Sequence, residues 1–192
     1  GEFIYESLLS NELGQKIIQK LEELSPDHSI IACTQTGAVI RNTLSAEEAA
    51  IIRKSYTHVR QVSDFRELKE DFIKITIYDP QKRCMETREQ LSPFFHSAYI
   101  VASEVSWIDI TNVNVHKGTT VTHLQKLLNV KPEETMVFGD TYNDIELMAC
   151  AEYSFAVRNA VQEVKDAANY ITRSNEEDGV LKTIKHMLSL QA

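Results

Sequence analysis

Apolar residues recur in two different rhythms along the chain, and the rhythm changes near residue 112. In the first stretch, "NELGQKIIQKLEEL" (11–24) places Leu13, Ile17, Ile18, Leu21 and Leu24 at helical spacing, with Ser10 or Asn11 as cap. "HSIIACT" and "AVIRN" flank a Thr36-Gly37 turn and predict a hairpin. "SAEEAAIIRKSY" predicts a helix capped by Ser45, with Glu48 closing a capping box. In "FIKITIYD" (72–79), Ile73, Ile75 and Ile77 alternate with Phe72, Lys74, Thr76 and Tyr78, which predicts a sheet covered on one side only. "QKRCMETREQLSPFF" reads as helix up to Pro93, and "AYIVASE" with "SWIDITN" as a further strand pair. At the start, "EFIY" reads as a strand that begins at once.

Beyond residue 112, strands and helices alternate, as they do in a parallel sheet with crossovers. "KGTTVTHLQKLLN" predicts an amphipathic helix with Val121, Leu124, Leu127 and Leu128 on one face. "ETMVFGD" reads as a strand buried on both faces, followed by a helix over "NDIELMACA". "YSFAVRN" and "YITRS" read as strands, "AVQEVKDAA" and "GVLKTIKHMLSL" as helices. The expected division is residues 1–9 as a residual strand, 10–111 as an α+β part, and 112–192 as an α/β part.

Composition narrows the function classes. The 192 residues are 43% hydrophobic and 25% charged, an ordinary soluble composition with length enough for a core. No apolar run approaches the ~20 residues that span a bilayer, so no membrane partner is expected. The net charge of −8 argues against a nucleic-acid binder and requires any phosphorylated ligand to meet local cations or a metal. Cys33, Cys84 and Cys150 are odd in number and lack metal-ligand spacing, which predicts reduced thiols and a cytoplasmic location.

The candidate chemistry sits in "VFGDTYNDIELM" (137–148). Ligands of parallel sheets bind outside the carboxyl ends of strands, and Asp140 stands at such an end beside Gly139. Asp144 follows four residues later, and hard oxygen ligands at that spacing suit Mg²⁺. Asn143 as a helix cap, with Asp144 and Glu146 favouring the positive helix end, accounts for the same residues without a metal. Lys117 opens a helix, where the dipole disfavours a cation. A lysine there can supply a point charge to phosphate, or can be an ordinary solvated surface group.

From about residue 107 to 188 the chain resembles the C-terminal half of a haloacid dehalogenase (HAD) superfamily phosphatase of the Cof type. "HKGTT" resembles that family's third motif, "GDTYND" its fourth, and the trailing "NA…VK…A…I…S…EDGV" follows in order. Residues 10–111 resemble its α+β cap. The resemblance implies an α/β fold, the second half of a Rossmann-like core plus a cap. It implies Mg²⁺ bound or oriented by Asp140 and Asp144, phosphate held by Lys117 and Asn143, and Lys117 as the catalytic lysine. Asn159 would lie near the site. Arg158 stands where such proteins often have glycine. The implied reaction is hydrolysis of a small phosphorylated metabolite, most often a sugar phosphate, through an aspartyl-phosphate.

That reaction needs an aspartate nucleophile in a D-x-D pattern after a strand. Asp79 is a single aspartate followed by Pro80, and Asp109 lies within a strand; neither fits, and Thr34 and Thr36 fall in the hairpin. The expectation is therefore a fragment, inactive alone and self-associating through apolar surface. Two other readings stand beside it: a non-catalytic metal or sugar-phosphate binding module, and an interaction scaffold. Arg53, Arg60, Arg83, Arg88 and His96 are candidate contacts to phosphate or sugar.

Overall fold

A computed structural model describes residues 5–25 and 27–190, and the chain divides into two compact units, Gly1–Val115 and His116–Ala192. The first unit runs on to Val115 because the turn after its last strand folds back. Val115 N–H donates to the Asn112 carbonyl (3.1 Å), and Thr111 Oγ1 donates to the Val115 carbonyl (2.6 Å).

In the first unit, α1 (Asn11–Leu24) is capped by Ser10, whose hydroxyl accepts from Leu13 N–H. The hairpin β1 (Ser29–Thr34) and β2 (Gly37–Arg41) follows as the turn chemistry predicts. Helix α2 (Ala46–Ser55) carries the Ser45/Glu48 capping box. Then come β3 (Val59–Val62), β4 (Lys74–Tyr78), α3 (Cys84–Gln90), β5 (Ala98–Glu104) and β6 (Trp107–Asn112). They form one sheet in the order β3-β2-β1-β4-β6-β5, antiparallel except between β2 and β3.

The sheet is covered on two sides, not one. Ile75 and Ile77 join α1 and α3 in the larger core, while α2 packs Ala49 and Ile52 onto Ile31, Cys33, Ala38 and Ile40 on the opposite face. All six residues of β1 are buried. The alternation in β4 reports only its own position: it lies beyond the edge of α2, where its second face turns polar. Strand β3 escapes the hydrophobic pattern because "VRQV" is half polar and only Val62 is buried. Of the expected opening strand, residues 2–4 lie outside the described residues. Tyr5–Leu8 form no strand, and Leu9 alone bridges Phe72.

The second unit alternates as expected: α4 (Lys117–Leu128), β7 (Met136–Gly139), α5 (Ile145–Met148), β8 (Tyr153–Val157), α6 (Gln162–Ala167), β9 (Tyr170–Thr172) and α7 (Gly179–Ser189). Its three strands are all parallel, in the order β7-β8-β9. Two expectations are corrected. In β7 only Val137 and Gly139 are buried; Met136 and Phe138 are half-buried, and Phe138 starts a ring ladder through Phe155 to Tyr170 (centroids 5.3 and 5.1 Å). In α4, Val121 meets the core while Leu124, Leu127 and Leu128 are exposed. The helix docks by its amino-terminal turn and by Gln125, whose amide donates to the Cys150 carbonyl (2.8 Å), rather than by its leucines.

Candidate active site

Two glycines let the site assemble. A Cβ on Gly118 would stand 2.5 Å from the Glu146 carbonyl oxygen, so only glycine lets the start of α4 lie against the backbone of α5. A Cβ on Gly139 would stand 2.6 Å from the Asp144 Cβ, so glycine likewise lets the end of β7 meet the following turn. The Cys150 thiol donates to the Gly118 carbonyl (3.2 Å) and closes the same helix contact. Helix α4 begins with an unusual reciprocal cap. His116 Nδ1 accepts from Thr119 N–H (3.3 Å), and Thr119 Oγ1 accepts from His116 N–H (3.0 Å).

These contacts bring Lys117 onto Asp144. The ammonium donates to Asp144 Oδ1 and, at 3.3 Å, to Asn143 Oδ1. Asp144 Oδ2 accepts from the backbone N–H of Asp140 (2.9 Å) and of Thr141 (3.4 Å). The Asp144 side chain is 4% exposed and that of Lys117 50%. A buried carboxylate without partners costs several kcal/mol, and here both oxygens are satisfied. Thr141 Oγ1 also donates to Asn143 Oδ1 (3.1 Å). An ammonium can only donate, so the oxygen of Asn143 must face Lys117, leaving its NH₂ as the donor for a ligand.

Asp140 differs from Asp144. It is exposed, and its carbonyl accepts from Val161 N–H (2.9 Å), which ties the end of β7 to the loop after β8. Partial burial and the Asp144 carboxyl beside it raise its pKa above the ordinary carboxylate value; Lys117 opposes them. Two carboxyls thus crowd together with one lysine, which grips Asp144 alone, an arrangement that a further cation relieves. The described residues hold no cluster of three or more His, Cys, Asp or Glu side chains. A divalent ion here would take one or two protein oxygens and complete its shell with water and phosphate, which fits Mg²⁺ and not an all-protein cage.

A family model described as haloacid dehalogenase-like hydrolase matches residues 1–184. The chain belongs to this family. It is 28% identical over 193 residues to 5-amino-6-(5-phospho-D-ribitylamino)uracil phosphatase YbjI of Escherichia coli K12, covering 100% of this chain and 71% of that protein. Among solved structures, SMU.1108c from Streptococcus mutans UA159 superposes with a TM-score of 0.89 at 29% identity, over 97% of this chain and 71% of its own. The HAD subclass IIB sugar phosphatase BT4131 superposes with a TM-score of 0.81 at 25% identity, over 97% and 70%. The chain therefore spans about seven tenths of these relatives, and 52% of phosphatase YwpJ of Bacillus subtilis.

Against this haloacid dehalogenase-like background, Lys117, Asn143 and Asp144 meet directly and Asp140 adjoins them through its backbone. Asn159 instead accepts from Asn175 N–H (3.2 Å), and Arg158 pairs with Glu177 (3.3 Å); both serve the turn at residues 175–177. Asp79 is fully buried and holds its own turn, accepting from Gln81 N–H, Arg83 N–H and Arg83 Nε. Asp109 sits inside β6, paired with Lys74. Arg60, Arg83 and Arg88 have partners in Glu70, Asp79 and Glu89. Sequence reasoning had Gly118 only as part of the resemblance's lysine-glycine helix start, without its packing role, and missed Thr141 and the His116/Thr119 cap. The cap had no local signal, since His116-x-x-Thr119 departs from the S/T-x-x-E/Q spacing of a capping box.

Proposed function

We propose that the protein of which these residues form part is a cytosolic Mg²⁺-dependent phosphohydrolase acting on small sugar or polyol phosphates through an aspartyl-phosphate. The observation that carries this reading is the Lys117 ammonium fixed on buried Asp144 beside exposed Asp140. The relatives named for a phosphorylated ribityl compound and for sugar phosphates support the substrate class. Asp140 and Asp144 are the residues to bind or orient Mg²⁺, Asp140 from its exposed position and Asp144 through Oδ1, which keeps a lone pair beside Lys117; Asp144 also positions Lys117 and the Asp140 amide. The ion supplies charge neutralisation for the phosphoryl group. Lys117 holds a phosphate oxygen, and the Asn143 amide donates beside it.

Among the described residues no aspartate stands in a D-x-D pattern after a strand, so residues 1–192 alone are expected to form no aspartyl-phosphate and to release no phosphate. The test has two readouts. Millimolar Mg²⁺ is expected to shift the Gly139, Asp140 and Thr141 amide resonances, and Asp140→Asn to abolish the response. Phosphate release from a panel of sugar and polyol phosphates is expected to be absent with this chain. Amide resonances indifferent to Mg²⁺ sink the metal assignment; turnover by the isolated chain sinks the nucleophile assignment.

A further inference from the structure

The second face of the six-stranded sheet changes character midway. Ile31, Thr76, Asp109 and Val101 lie in one row across β1, β4, β6 and β5. Helix α2 covers the apolar part, and beyond it the row turns polar. Lys74 Nζ donates to Asp109 Oδ1 (2.9 Å), Thr76 Oγ1 donates to the same oxygen (2.9 Å), and Tyr56 OH donates to Thr76 Oγ1 (3.2 Å). Two positions along the same strands, the rings of Tyr78 and Trp107 lie 4.8 Å apart. The Lys74 and Asp109 side chains are 34% and 22% exposed.

A half-buried ion pair is a poor stabiliser compared with apolar side chains of the same volume. What it offers is a donor and an acceptor side by side. Every hydrogen bond to the Asp109 carboxylate falls on Oδ1, so Oδ2 is left as an acceptor among the described residues. The ammonium keeps two of its three hydrogens. The pair is electrically balanced, so it favours neither an anion nor a cation. Neighbouring hydroxyls, each able to donate and accept, match it, and the ring pair offers a face to their C–H groups.

We propose that Lys74 and Asp109, flanked by Tyr78 and Trp107, bind adjacent hydroxyls of a polyhydroxylated ligand on this sheet face. Trp107 is the only tryptophan in the chain, so its fluorescence reports this face directly. The test titrates the whole chain with D-sorbitol and ribitol, neutral polyols without phosphate, and with 1-propanol as control. A saturable response to the polyols alone is expected. Lys74→Gln and Asp109→Asn should each weaken it about tenfold, the scale of one charge-assisted hydrogen bond. Should either variant lose its circular dichroism, Val101→Arg, in the same row and outside the ion pair, is expected to block the response. A polyol response that parallels 1-propanol, or that survives in every folded variant, overturns the proposal. Since these probes carry no phosphate, their outcome is independent of the Mg²⁺ response at Asp140.

Discussion

Lys117 and Asp144 are 27 residues apart in sequence and form one electrostatic unit. Lys117→Met keeps the stem and removes the charge, leaving Asp144 buried without its counter-ion. Because Lys117 is half exposed, the expected cost is about 1–3 kcal/mol, below that of a fully buried pair. Urea denaturation followed by circular dichroism measures it; Trp107 fluorescence, which reports the first unit, should not move. Lys117, Asn143 and Asp144, named from the sequence although a helix cap accounted for the acidic turn equally well, do meet in the structure. Thr141 was not legible, because a hydroxyl in a loop looks the same whether or not it aligns a neighbour.

At the scale of elements, α4 shows what periodicity can miss. Its apolar stripe predicted a leucine-mediated contact, yet the helix docks through a bare glycine backbone. Gly→Ala within a helix ordinarily gains about 0.5–1 kcal/mol. Gly118→Ala should do the reverse, lowering the urea midpoint of the second unit and loosening Lys117 from Asp144, visible as faster amide exchange at Asp140 and Thr141. Ser45→Ala removes a capping hydroxyl and should cost about 1 kcal/mol, read by Trp107 fluorescence. Caps, the hairpin and the parallel alternation could be read from sequence because each depends on residues within a few positions. The second cover over β1 and the pairing of β3 depend on α2 as a crossover, and no local pattern encodes that.

For the molecule as a whole, acid stability should follow His28. Its side chain is 2% exposed, with Nε2 3.8 Å from Asp79 Oδ2. Burial lowers its pKa most, Arg83 adds to this, and Asp79 and the Leu21 carbonyl oppose without reversing it. The unfolded chain therefore binds a proton where the folded one does not, and stability falls as pH drops through the unfolded value of about 6.5. Asp79, whose pKa is lowered, adds a further loss as pH falls through the ordinary carboxylate range. The Trp107-reported urea midpoint should be lower at about pH 5.5 than at about pH 7.5, and His28→Gln should flatten the difference. In the second unit Leu127, Leu128, Ile171, Leu181 and Leu188 are more than half exposed. Surface of this kind promotes association, so light scattering should show oligomers of residues 1–192 that dissociate on dilution.

The double engagement of Asp144 gives the site a lever. One oxygen grips the lysine and the other grips the amides at the mouth of β7. A change at the ammonium is therefore expected to reach the Asp140 and Thr141 amides through that one carboxylate, and Lys117→Met to alter their hydrogen exchange.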